Sequence, residues 1–269
     1  MSGRLSKQID NQIQAFPVLT WKEEFKLAKK IGFSFIEWVL DSSPNPILTE
    51  IGRNQMDFLS KENNIKIKSI CCDYFMKNKL FGIDTNSNKK NKNFLINLIS
   101  ICSMMNIRKI EIPLVDSSSI KNENDKLQFI DILNEVISYL PNNVHIILET
   151  DFSPSIFSNF LSNFDKNKIR ANYDTGNSAS LGFDMEKEFS EYGERISNIH
   201  IKDRLLGGET VSFGNGDVDF VKFFSLIKKI KYDDDLVIQG ARQDSIMKPE
   251  ATCKEYLKFI KKYLDKDIK

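Results

Sequence analysis

"TWKEEFKLAKKIGFSFIEWVLD", residues 20–41, contains one full period of the pattern that decides the fold. Thr20 and Glu23 stand at capping-box spacing, Phe25, Leu27, Ala28 and Ile31 fall largely along one helical side, and Gly32 stops the run, which predicts an amphipathic helix. "FSFIEWVL" then reads as a strand ending near Asp41, before the turn residues "SSPNP", and a helical stretch follows to about Asn63. The same alternation continues. Strands are predicted in "IKIKSICC", "RKIEIPLV", "VHIILET", "IRANYD", "SNIHIKD" and "DLVIQG". Helical segments fall near 88–106, 124–140, 154–165, 184–194, 218–230 and 249–264. A weakly marked strand around 9–16 brings the total to eight β/α units in order. Strands alternating with helices imply parallel pairing, and eight units in 269 residues predict one (β/α)8 barrel domain spanning 1–269. An open doubly wound sheet is the competing fold. The chain lacks GxGxxG and GxxxxGK[ST], the nucleotide-binding signatures common in such sheets, which favours the barrel.

Composition narrows the class of function. With 41% hydrophobic and 28% charged residues and a formal net charge of +1, the chain is typical of soluble globular proteins and gives no sign of a nucleic-acid or membrane surface. The polar stretch "NKLFGIDTNSNKKNKN" reads as a solvated loop and helix start. Cys71, Cys72, Cys102 and Cys253 form no CxxC pair and read as reduced thiols. Neither the N-terminal stretch nor any later run has the apolar core of a signal peptide or a membrane span, so a cytoplasmic location is expected.

An α/β barrel places its active site at the C-terminal ends of its strands. Those ends are polar here: Glu37, Asp73, Glu111, Glu149, Asp174, His200 with Lys202 and Asp203, and Gln239. A carboxylate closing an apolar run such as "VHIILE" is costly to desolvate without a partner, and a cation would relieve that cost. Glu149, Asp174, His200 and Gln239 together offer two anionic oxygens, an imidazole nitrogen and a neutral amide oxygen, which suits a single divalent ion with positions left for substrate. Each residue taken alone can also be a solvated strand end or a satisfied core group. His145, at the opposite end of its strand, reads as structural.

Four stretches, "IILET", "NYDTGNSASLG", "SNIHIKDRLLGG" and "FGNGDVDF", resemble in order and spacing the sugar isomerase and epimerase branch of the xylose isomerase-like TIM barrel superfamily. "AKKIGFSFIEWVLD" is similar to that branch's first helix and second strand, so the resemblance spans most of the chain. It implies one divalent metal ion (Mn, Mg, Co or Zn) held by Glu149, Asp174, His200 and Gln239, where relatives place Glu at the last position. It further implies substrate-side roles for Glu37 and Asn177, a small carbohydrate substrate, and a homo-oligomer of the kind relatives form. The expected chemistry is enediolate formation on a ketose with Glu149 as base.

Gln239 limits that chemistry, because a carboxamide does not exchange a proton near neutral pH. Glu149, Asp174 and Gln239 contribute −1 −1 +0 = −2 of ligand charge, against −3 with Glu at 239. Three courses stay open: an isomerase using one face, an epimerase recruiting Glu37 or Glu111 as further acid, or a dehydratase. A non-catalytic sugar-binding relative is the alternative from another class. Lys202 and Arg204 are candidates for clamping a substrate phosphate or stabilising enediolate charge, against a plain ion pair with Asp203. The backbone of Gly214 and Gly216, before a helix capped near Asp217, offers a second anion site, and Arg242 a third. A three-metal DNA-repair endonuclease of the same superfamily is disfavoured by two histidines and the +1 charge.

Overall fold

The structure is a computed structural model that describes residues 1–242 and 248–264. α1 (Trp21–Ile31) buries Trp21, Phe25 and Ala28 and ends on Gly32 at φ 100°, whose N–H returns to the Ala28 and Lys29 carbonyls. Thr20 does not cap this helix. Its hydroxyl donates to Ser6 Oγ (2.8 Å), and Glu24 turns inward to accept from the Gly3 and Leu5 amides and the Ser6 hydroxyl.

β1 (Phe35–Val39), α2 (Glu50–Asn63) and β2 (Lys66–Cys71) follow, then α3 (Tyr74–Lys77), α4 (Thr85–Met104) and β3 (Lys109–Leu114). α5 (Glu123–Ile137), β4 (His145–Thr150), α6 (Pro154–Leu161) and β5 (Ile169–Asp174) continue the alternation. Two short helices, α7 (Thr175–Leu181) and α8 (Met185–Tyr192), lead to β6 (Ile196–Ile201). A small antiparallel hairpin, β7 (Asp203–Arg204) with β8 (Thr210–Val211), precedes α9 (Phe220–Lys229), β9 (Leu236–Ile238) and α10 (Pro249–Leu264).

β1, β2, β3, β4, β5, β6 and β9 form one parallel sheet in that order, wrapped by the helices into a TIM barrel. Residues 9–16 do not make the expected first strand; they run as turns. Their polar groups serve distant partners instead: the Ile13 carbonyl accepts from Arg4 and Arg242, and Gln14 reaches Asp73 and Gln239. Residues 1–5 lie on the side between the edge strands β1 and β9. There Ser2 N donates to the Glu37 carbonyl (2.8 Å), Ser2 Oγ accepts from Val39 N (2.8 Å), and Gln239 Nε2 lies 3.4 Å from Met1 Sδ.

Strand parity sorts the side chains. Ile36, Trp38, Ile70, Ile110, Ile112, Ile146, Leu148, Ala171, Tyr173, Ile199 and Ile201 are buried in the core cluster shared with the helices. The alternate positions include the equally buried polar side chains Glu37, Ser69, Glu111, Asn172 and Asn198, alongside apolar Val39, Ile67 and Ile147. Four of these polar groups form a hydrogen-bonded chain in which Ser69 and Asn198 donate to Glu37 Oε1, Asn198 also donates to Asn172 Oδ1, and Asn172 donates to Glu149 Oε2. This chain of polar contacts thus supports the upper end of the barrel from below.

Candidate active site

Glu149, Asp174 and His200 come from three adjacent strands, β4, β5 and β6, at their C-terminal ends. One ligand atom from each lies within 4.8 Å of the others, and all three residues are buried. His200 Nδ1 faces Glu149 Oε2 at 3.3 Å and Asp174 Oδ2 at 3.9 Å, while Nε2 contacts Glu37 Oε2 at 2.7 Å. Burial opposes a charge on the imidazole, but the Glu37 and Glu149 carboxylates outweigh it and raise the His200 pKa well above the usual histidine value. Glu149 is likewise buried, yet His200, Lys202 and Asn172 hold its carboxyl below the ordinary range.

Glu37 differs from the substrate-side role implied by resemblance. It is fully buried beneath the site, takes hydrogen bonds from Ser69 and Asn198, and grips His200. Burial works to raise its pKa, but the His200 charge and hydrogen bond prevail and bring it down to about 2. A carboxylate that fixes the far nitrogen of a ligand histidine sets the ring's orientation and tautomer.

Asn177 sits in the first turn of α7, whose N-cap Asp174 accepts from Asn177 N (2.8 Å). Its side chain bridges two site residues, donating to Glu149 Oε1 (2.5 Å) and accepting from Arg204 Nη1 (2.8 Å). Arg204 also donates twice to the Gly208 carbonyl, so it braces the β7–β8 turn. Lys202 pairs with Asp174 Oδ2 at 2.7 Å rather than with Asp203. Glycine at 176 permits this approach, since a Cβ there would lie 2.8 Å from the Lys202 side chain.

Gln239 closes β9, with its amide N–H bonded to the Ile201 carbonyl. Its side-chain nitrogen donates to Gln14 Oε1 (2.8 Å), which leaves Oε1 as a buried oxygen without a hydrogen-bond partner. Gln239 follows β9, the strand paired with β6, so this orphaned acceptor and the Glu149–Asp174–His200 group come from the same end of the sheet, a donor set that suits a cation.

Two expected anion sites are filled by the protein itself. Asp203 is completely buried, and its carboxylate accepts from Gly214 N, Gly216 N and Val218 N at 2.7, 3.1 and 3.3 Å. The cap of α9 is Asp219, two residues past Asp217. Arg242 donates to the carbonyls of Gly3, Ser6 and Ile13, tying the N-terminal segment down.

A family model described as a xylose isomerase-like TIM barrel matches residues 25–263. The chain belongs to that family. Among similar family members, the Haemophilus influenzae protein SgbU, named provisionally as an L-ribulose-5-phosphate 3-epimerase, is 27% identical over 80% of this chain and 81% of its own. The L-ribulose-5-phosphate 3-epimerase UlaE of Shigella flexneri is 25% identical over 85% and 86%. A solved D-psicose 3-epimerase from Clostridium cellulolyticum H10, with D-tagatose, superposes with a TM-score of 0.75 at 16% identity over 95% and 96% of the two chains.

Asn172 and Asn198 were not among the candidates drawn from sequence. Their signal was present, because each lies two residues before a site residue on the same strand, Asp174 and His200, and so shares its face.

Proposed function

We propose that the chain is a metal-dependent sugar or sugar-phosphate isomerase or epimerase acting on a ketose through an enediolate, with Glu149 as the base. The observation that carries this reading is the convergence of Glu149, Asp174 and His200 within 4.8 Å at the strand ends, and Gln239, with its unpartnered buried oxygen, follows the strand paired with that of His200. The similarity to proteins named as sugar epimerases supports the reaction class.

Glu149, Asp174, His200 and Gln239 would hold a divalent cation, which supplies Lewis acidity toward the carbonyl and neighbouring hydroxyl of the ketose. The protein's own groups handle the proton. Glu149, held deprotonated, accepts the proton from the carbon beside the carbonyl. The C–H electrons become the C=C bond as the carbonyl oxygen takes negative charge. Asn177 and Asn172 hold one oxygen of Glu149 each and fix its aim. The Lys202 ammonium stands beside the site to balance the developing charge.

Returning the proton from Glu149 to the former carbonyl carbon, while the neighbouring hydroxyl passes its proton to the former carbonyl oxygen, gives an isomer; protonating the original carbon from the opposite face gives an epimer and needs a second acid. Of the two further carboxyls, Glu37 is held ionised by His200. Glu111 is the candidate for that acid: burial, then the Glu149 charge, raises its pKa well above the usual carboxylate value. A one-base dehydration is the second reading, favoured by the neutral amide at 239 and by a local match, 25% identical over 38% of the chain, to an inosose dehydratase of Geobacillus kaustophilus.

The test is elemental analysis together with a panel of ketoses and ketose phosphates in deuterated water, followed by NMR. Stoichiometric divalent metal that disappears in Asp174→Ala and His200→Ala, with deuterium entering C1 or C3, is the expected result. Full metal retention in both variants, or a panel in which no sugar exchanges, overturns the reading.

A further inference from the structure

The turns at 9–16 bring one side chain, Gln14, to two residues that follow strands: Asp73 after β2 and Gln239 after β9. The backbone around Gln14 is fixed on both sides. The Ile13 carbonyl accepts from Arg4 Nη1 (2.8 Å) and Arg242 Nε (3.1 Å), and Phe16 N donates to Asp41 Oδ2 (2.9 Å). From this anchored position the Gln14 carboxamide spans the two residues, donating from Nε2 to Asp73 Oδ2 (2.6 Å) and accepting at Oε1 from Gln239 Nε2 (2.8 Å).

Hydrogen-bond polarity fixes the direction of each amide along this line. An ionised carboxylate only accepts, so Asp73 requires the NH2 of Gln14. Gln14 is left with its oxygen toward Gln239, and Gln239 answers with its own NH2. The other Asp73 oxygen, Oδ1, is engaged by the Cys71 thiol, which donates to it at 3.3 Å. Burial raises the Asp73 pKa to about 6, opposed by the hydrogen bonds from Gln14 and Cys71, so the group is ionised above neutral pH. Gln239 Nε2 also lies 3.4 Å from Met1 Sδ, a weak acceptor that suits the same orientation. What remains of the Gln239 amide is Oε1, buried and without a hydrogen-bond partner among the described residues. The residue follows the strand paired with that of His200, and its backbone N–H bonds to the Ile201 carbonyl.

We infer that Asp73 and Gln14 are positioning residues that set the direction of the Gln239 carboxamide, turning its oxygen rather than its NH2 to the cation held by Glu149, Asp174 and His200. The inference rests on the metal-site reading above and gives the fourth ligand's orientation a cause. A carboxylate at 239 would present equivalent oxygens and need no such control. A carboxamide needs it, because an NH2 turned to a cation donates nothing and repels it.

The experiment is calorimetry of Mn2+ binding to the metal-free protein. Asp73→Asn keeps the shape of the side chain, but with Cys71 holding its oxygen it turns an NH2 to Gln14, which reverses the line and calls for the Gln239 oxygen. Mn2+ affinity should fall. Part of the fall comes from the lost charge alone, and Gln239→Glu separates the two effects. The fall caused by Asp73→Asn in the wild-type background should exceed its fall in the Gln239→Glu background by about tenfold or more. Gln14→Leu interrupts the line without a change of charge, and in that background too Asp73→Asn should cost only the charge effect. No fall, an equal fall in the wild-type and Gln239→Glu backgrounds, or the full fall in the Gln14→Leu background would overturn the inference. Unfolding temperatures show that each variant is folded. Should Asp73→Asn not fold, Gln14→Leu reads the line by itself: it should weaken Mn2+ binding in the wild-type background and not in Gln239→Glu, and equal effects in both would overturn the inference. A wild-type protein that takes up no Mn2+ sinks the metal site itself, whereas uptake with equal losses in both backgrounds sinks only the positioning role.

Discussion

Gln239 has its amide nitrogen bound to Gln14 and its oxygen left bare in a buried position. This orientation makes the residue an oxygen donor and keeps it from acting as a second base. Gln239→Glu should tighten divalent metal binding, measurable by calorimetry, because it raises the ligand charge from −2 to −3; unchanged or weaker affinity would contradict a ligand role. Glu37 acts one step behind the site. Glu37→Gln removes the charge that orients His200, and metal affinity should fall by about 10- to 100-fold, the usual effect of losing such a partner. Retention of full affinity would show that His200 needs no such support. The carboxylates were legible in the sequence because a charge closing an apolar strand is hard to explain without a partner. Glu37's attachment to His200 was not, because a contact across 163 positions leaves no local trace.

Among the elements, the long alternating helices and strands could be read from periodicity, whereas the short ones could not. α3, α7 and the β7–β8 hairpin hold too few residues for a periodic signal and are fixed by tertiary contacts, such as Thr175 Oγ1 donating to the Lys202 carbonyl at 2.6 Å. The segment at 9–16 departs from its expected strand for a related reason: its polar groups answer to Arg242, Asp73 and Gln239, all distant in sequence. The Gly214–Gly216 loop has the local chemistry its sequence suggests, an anion cradle, but its anion lies eleven or more positions earlier in the same chain. Gly216→Ala would push a methyl group against Asp203 Oδ1 and the Arg204 carbonyl (2.7 Å). It should lower unfolding stability by about 1–3 kcal/mol, seen as a reduced Tm. A wild-type Tm would mean that the loop is not closed on Asp203.

In the whole molecule, the candidate site and a group of ion pairs occupy opposite ends of the barrel. The upper end gathers the site, while the lower end carries the ion pairs Lys68–Asp235 and Lys109–Asp234 (2.6 Å each) and His145. Burial, followed by the charges of Lys109 and Arg170, pushes the His145 pKa down to about 4. The unfolded chain therefore binds a proton at this position below about pH 6.5 that the folded chain refuses until about pH 4. Stability is fully present above that window and is lost as pH falls through it. Partial exposure reduces the effect to on the order of 2 kcal/mol. His145→Gln should flatten this part of the stability profile in urea titrations between pH 7 and 4, and an unchanged slope would refute the assignment. Among the described residues no helix is long and apolar enough to cross a membrane.

Transfer of a ketose proton by Glu149 at the upper end is the step proposed. Its most direct measurement is the rate of deuterium incorporation beside the carbonyl, compared between the wild-type protein and Glu149→Gln under saturating ketose and metal. Exchange is expected in the wild type, with a loss of about 10³-fold or more in the variant and ketose binding retained. Exchange at the wild-type rate in Glu149→Gln would contradict it.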